Sequence, residues 1–213
     1  MRKLYFILLF VALAGCSTGN NPEEQAAVSR TQKPPLEMNK DVFVPSPHIT
    51  DDRNLVKIGE SVTDSKGGLI LKQSKIVNQD IQVGPVKLSI NDIKVMQFTP
   101  AHSMVDFFHA QTHEKVFDFV KIEVEVNNSS KEPIIFNPIA FLNTNSGEHK
   151  TWEDDIYVEE LQGEIAPNDV KKGNIGFILE NTADIQSIEL LTSDVLHTDE
   201  EIIAQAQSIK VDF

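Results

Sequence analysis

Val120-Lys121-Ile122-Glu123-Val124-Glu125-Val126 decides the fold class. Its even positions are all β-branched and apolar, and its odd positions are all charged. Side chains of a strand point to alternate faces, so the segment reads as a half-buried antiparallel strand with one dry and one wet face. Upstream, Val86, Leu88 and Ile90 share one parity, and beyond Asn91-Asp92 the apolar positions resume at Ile93 and Val95 on the other. A parity switch inside one strand predicts a bulge or bend there.

Downstream, Asn127-Asn128-Ser129-Ser130 supplies a turn, and Ile134 to Leu142 reads as the next strand or strand pair. Pro133 and Pro138 have no backbone N–H to give a ladder, which predicts an edge position. Asn143 to Gly147 is another turn. Pro167-Asn168-Asp169 leads into Ile175, Phe177 and Leu179, then Ile188 and Leu190, and the last strand alternates through Ile209, Val211 and Phe213. Thr198-Asp199-Glu200-Glu201 has the pattern of a capping box and predicts a turn or two of helix over Ile202-Ile203-Ala204. Seven or eight short strands separated by turn signals predict an all-β chain, an antiparallel β-sandwich over residues 67–213.

The chain before it has another texture. Arg2 and Lys3 precede an apolar run from Leu4 to Ala14, the layout of a secretory signal over residues 1–15. The run falls well short of the ~20 residues a spanning helix needs. It ends in Leu13-Ala14-Gly15-Cys16, which resembles the lipobox of bacterial lipoproteins. That resemblance implies cleavage before Cys16 and a diacylglyceryl group on its thiol. Two acyl chains hold a protein on a bilayer far more firmly than one, at ~0.8 kcal/mol per buried CH₂. Residues 16–66 are rich in Asn, Glu, Gln, Ser and Lys, with prolines at 22, 34, 35, 45 and 47, and read as a lipidated cysteine followed by a disordered, flexible linker. Cys16 is the chain's one cysteine, so the sandwich must be stabilised by its core without disulfides.

The formal charge is −13, and more negative still without Arg2 and Lys3. Such a chain is repelled by nucleic acid, and no segment clusters Lys and Arg as phosphate binding requires. No Gly-x-Ser-x-Gly elbow and no glycine-rich phosphate loop is present, so no catalytic residue and no cofactor is assigned. His102, His109 and His113 fall in one connection, Phe98 to Val116, and are candidate metal ligands. His109 and His113 stand four apart, a spacing that on a helix turns two imidazoles to one side for zinc or copper. Ala110 stands where a zinc protease would have its glutamate, so a hydrolytic site is not expected. The acids at Glu153-Asp154-Asp155, Glu159-Glu160 and Glu164 lack the register of a calcium loop and read as a solvated acidic loop.

Val120 to Asn128, followed by Ser129-Ser130-Lys131-Glu132-Pro133-Ile134, resembles the central strand and turn of an immunoglobulin-like domain of unknown function common in lipoproteins of Gram-positive bacteria. Ile165-Ala166-Pro167-Asn168 and Gly173-Asn174-Ile175-Gly176-Phe177 match its second hallmark, a Pro-Gly turn before a Gly-x-x-x-Phe strand. Asn168 replaces the usual glycine, and asparagine also tolerates positive φ. The resemblance implies an immunoglobulin-like sandwich on the extracytoplasmic face of a membrane, with no catalytic residues. The expected function is that of a non-catalytic binding or accessory module of the cell envelope. It would contact the membrane through its lipid and an envelope protein through its domain. The alternative expectation is a metal or small-ligand capture module using the His102–His113 loop.

Overall fold

The computed structural model describes residues 44–213. The signal sequence, Cys16 and the linker as far as residue 43 lie outside the described residues. Strands β1 (Ser61–Asp64), β2 (Gly67–Val83) and β3 (Val86–Pro100) lead to a one-turn helix, α1 (Val105–Phe108). Next come β4 (Phe117–Asn128), β5 (Ile134–Phe136), β6 (Phe141–Thr144), β7 (His149–Thr151), β8 (Gly163–Ile165) and β9 (Val170–Leu179). The chain finishes with β10 (Ser187–Leu191), β11 (Val195–Leu196), β12 (Ile202–Ala204) and β13 (Ser208–Asp212).

The strands form three antiparallel sheets, ordered β1-β2-β3-β4-β9, β13-β10-β6-β7 and β12-β11-β5-β8. One face of the five-stranded sheet packs on the two smaller sheets, so the chain is an all-β sandwich. Val120, Ile122, Val124 and Val126 of β4 meet Ile134, Phe136, Leu142, Ile188 and Leu190 in one core. The expected bulge is at Asn91: the β3–β4 register slips between Ile90 and Asp92. The slip keeps Ile93 and Val95 in the same core as Leu88 and Ile90. It also sends Asp92, Lys94, Met96 and Phe98 to the opposite face, across from Glu123, Lys121, Phe119 and Phe117.

That opposite face is not wet along its whole length. Residues 44–60 cross it as a strap, with Ile49 and Leu55 1% and 3% exposed. They join Leu69, Leu71, Met96, Phe98, Phe108, Phe117 and Phe119 in a second core. The boundary expected at residue 67 therefore falls inside the folded unit. Two apolar residues are too few to give a periodic signal, yet their burial is worth about 3–6 kcal/mol together.

Two local expectations are corrected. Pro133 and Pro138 do not mark an edge: they lie just outside β5 and β6, and both strands are interior to their sheets. Residues 198–204 are not helical. His197 and Glu201 close a hairpin, the Glu201 carbonyl accepting from His197 N–H at 2.9 Å, and β12 pairs with β11. Leu196 in turn pairs with Ile135 of β5, and this long-range ladder overrides the local capping signal. Trp152 is 40% exposed in a short 3₁₀ turn.

Candidate functional site

The charged centre of the molecule lies where the strap meets the bulged strand. Lys94 and Lys121 are directly paired across β3 and β4 on the strap-covered face, so their ammonium groups would repel. Asp52 of the strap lies between them. Its Oδ2 accepts from Lys94 Nζ at 2.8 Å and from Lys121 Nζ at 2.7 Å, and its backbone carbonyl accepts a further bond from Lys94 at 2.9 Å. The three side chains are only 8%, 3% and 9% exposed for Lys94, Lys121 and Asp52. Burial pushes the Asp52 carboxyl up, but the two ammonium groups, Lys121 foremost, outweigh it and hold it below the ordinary carboxylate range.

Asp92 and Glu159 lie within electrostatic reach of Lys121. Asp92 stands 3.8 Å from Lys121, too far to hydrogen-bond, and its buried Oδ1 has no hydrogen-bond partner. Burial holds its proton on to higher pH, against the pull of the two lysines. Asp155 is also pushed up by burial, although it accepts the backbone N–H groups of Tyr157, Val158 and Gly176. Burial likewise pushes up Glu159, which caps the Asn174 N–H at 2.8 Å. The Tyr157 hydroxyl is buried without a partner, and burial followed by the neighbouring carboxylates drives its ionisation far up.

These contacts explain the glycines of β9. A side chain at Gly173 would collide with the Glu159 carboxylate, and one at Gly176 would come within 2.7 Å of the Tyr157 ring. The Asp155 and Glu159 carboxylates thus close the outer edge of β9, which no strand covers among the described residues. Perturbed acids and buried lysines can mark catalytic sites. Here no face of the lysines is open to a substrate, and the chemistry of the arrangement is that of a clamp. Nothing in the sequence marks Asp52 as the partner of Lys121, which lies 69 residues away.

The expected metal ligands sit beside the same second core. Phe108 packs edge-on to Phe98 with ring centroids 5.5 Å apart, and Phe107 stacks on His48 of the strap at 3.6 Å. Burial lowers the His48 proton affinity. His102 begins a 3₁₀ turn and is exposed. His109 caps α1, and its Nδ1 lies 3.4 Å from Nδ1 of His113, both residues being exposed. The structure brings together two of the three histidines. Among the described residues, no group of three or more His, Cys, Asp or Glu could hold a metal ion. Of the acids expected to be solvated, Glu153, Glu160 and Glu164 are exposed, whereas Asp155 is buried and Asp154 forms a capping box with Thr151.

A second polar node lies at the end of β4. Asn128 is fully buried. Its Nδ2 donates to the carbonyls of Glu132, Ile165 and Ala166, and its Oδ1 accepts from the Ser130 N–H and hydroxyl. The adjoining turn carries Asn168 at φ 54°, the positive value expected of it.

Residues 75–202 match the family described as Domain of unknown function (DUF4352). The chain belongs to that family. Its DUF4352 region spans β3 to β11 and so contains the bulge, Lys94, Lys121 and Asn128, while Asp52 of the strap lies outside it. A relative from Bacillus subtilis (strain 168), "Uncharacterized protein YdhF", is 37% identical over 236 aligned positions and matches from end to end, covering 100% of both chains. Among solved structures, a functionally unknown protein from Listeria monocytogenes EGD-e is 12% identical. It covers 68% of this chain and 86% of its own, with a TM-score of 0.49. A candidate lipoprotein from Bacillus subtilis subsp. subtilis str. 168, YcdA, is 17% identical, with coverage of 64% and 39% and a TM-score of 0.43.

Proposed function

We propose that this DUF4352 protein is a lipoprotein of the extracytoplasmic face of the cell membrane. A lipid on Cys16 anchors it, and its immunoglobulin-like sandwich acts as a non-catalytic accessory or binding module for another envelope protein. The observation that carries the reading is Leu13-Ala14-Gly15-Cys16 at the end of a short apolar run, holding the chain's one cysteine. Two further features support it. The sandwich is built without any thiol, as suits an oxidising compartment. The strap's Asp52 grips both central strands, which suits a domain held by its N-terminal chain. Both lysines are buried, and function in such sandwiches sits on end loops and edges.

The test is mass spectrometry of the mature N-terminus, with cell fractionation of the native protein and Cys16→Ala. The reading expects a chain that begins at diacylglyceryl-modified Cys16 and fractionates with membranes, and that leaves them in the variant. An unmodified chain in the cytosol that still begins at Met1 would refute it. In-cell crosslinking of the anchored protein then reports the envelope partner.

A further inference from the structure

The geometry points to a two-histidine site for a late first-row divalent ion, zinc or copper(II), made by His109 and His113. Two ligand atoms each about 2.0–2.1 Å from a tetrahedral zinc lie about 3.3–3.4 Å apart. The two Nδ1 atoms stand 3.4 Å apart, so an ion can bridge them without either ring moving far. The rings are tilted by 59° with centroids 5.2 Å apart, so their faces are not stacked. Two neutral imidazoles placed so must share a proton between Nδ1 atoms or leave two lone pairs opposed, and a cation answers the same need.

The pair is held ready. The His109 N–H donates to the Val105 carbonyl at 3.1 Å, continuing the turn of α1. The Gln111 and Thr112 N–H groups both donate to Phe108, and the Glu114 N–H donates to the Thr112 hydroxyl. Phe108 itself is 2% exposed, wedged between Phe98 and Phe117. The backbone on both sides of the pair is thereby fixed to the second core, and little entropy is lost on closing the chelate. Imidazole suits zinc and copper over calcium or magnesium. With two protein ligands, the ion keeps open positions for water or for a donor from another molecule.

The experiment is isothermal titration of the untagged full-length chain in detergent with zinc chloride and with copper(II) chloride. Single variants His109→Ala, His113→Ala and His102→Ala are titrated beside it, and circular dichroism confirms their fold. The expected result is one ion per native chain, at least about tenfold weaker binding in either His109→Ala or His113→Ala, and no change in His102→Ala. Absence of binding to the native chain would overturn the site, as would binding unchanged in both pair variants. An equal loss in His102→Ala would overturn the two-histidine assignment.

Discussion

Replacing Asp52 with alanine removes the one carboxylate that hydrogen-bonds both Lys94 and Lys121. Breaking a buried ion pair by deleting one partner typically costs about 3–5 kcal/mol, because the other charge stays buried and uncompensated. Two such charges face each other here, directly paired across β3 and β4, which favours the upper end. The penalty has a ceiling. Lifting the strap lets water reach both ammonium groups and gives up about 3–6 kcal/mol of burial at Ile49 and Leu55. We therefore predict that Asp52→Ala loses about 3–5 kcal/mol, chiefly by releasing the strap from a sandwich that stays folded. A domain with about 5–15 kcal/mol in hand can lose that much and persist.

Urea unfolding followed by circular dichroism measures the total loss, and hydrogen exchange of peptides from residues 44–60 locates it. The triple variant Asp52→Leu, Lys94→Met, Lys121→Met separates charge from packing. It should recover most of the stability, since buried ion pairs are often replaced by apolar side chains at little cost. The pH dependence has a definite sign. Asp52 is held below the ordinary carboxylate range, so its contribution is full above the unfolded-state pKa and is lost as pH falls through the folded one. The gap between native protein and Asp52→Asn must shrink on acidification. A loss under about 1 kcal/mol in Asp52→Ala, with unchanged exchange over 44–60, would refute the clamp.

Asp92→Asn should act with the opposite sign: burial raises this acid and Glu123 stands directly across the ladder, so the charged form weakens the fold. The variant should gain about 0.5–1 kcal/mol near pH 7. Because the native acid favours folding only while it keeps its proton, thermal melts should show that gain fading as pH falls below the folded pKa toward the unfolded one. Asn128→Leu strands the Ile165 carbonyl in the interior and frees those of Glu132 and Ala166 nearer the surface, and should lose about 1–3 kcal/mol in urea unfolding, with Asn128→Asp intermediate. Val158 is β-branched yet sits at φ 54°, so Val158→Asn should raise the melting temperature by about 2–4 °C, the equivalent of about 1 kcal/mol.

The sandwich was legible because its signals are local. Alternation in β4, the parity switch at Asn91 and the turn at Asn168 each need a handful of neighbouring residues, and each appears in the structure where the pattern placed it. The helix expected after Thr198 was read from equally local grammar, but β11 and β12 answer to Ile135, more than fifty residues earlier in the chain. Lys121 shows the limit more sharply. Alternation correctly put it on the face opposite the main core, and by the same rule made it wet. Whether that face meets water depends on a segment whose composition predicts that it will not pack, and which buries Ile49, Thr50, Asp52 and Leu55. The bulge that moved Lys94 opposite Lys121 was visible. The need for a carboxylate arises only once the structure buries both lysines. What sequence alone could not supply was the coverage that buries them, because Asp52 sits among several acids in a polar stretch and nothing but the fold selects it. The histidines divide in the same way: spacing proposed His109 and His113, and the anchoring of Phe108 in the second core gives them their fixed geometry, while His102 lies on a different turn. In this chain the parts that bear charge on buried faces are set by contacts distant in sequence. Those contacts run through residues 44–60, so the strap is part of what holds the charged face of the sheet together.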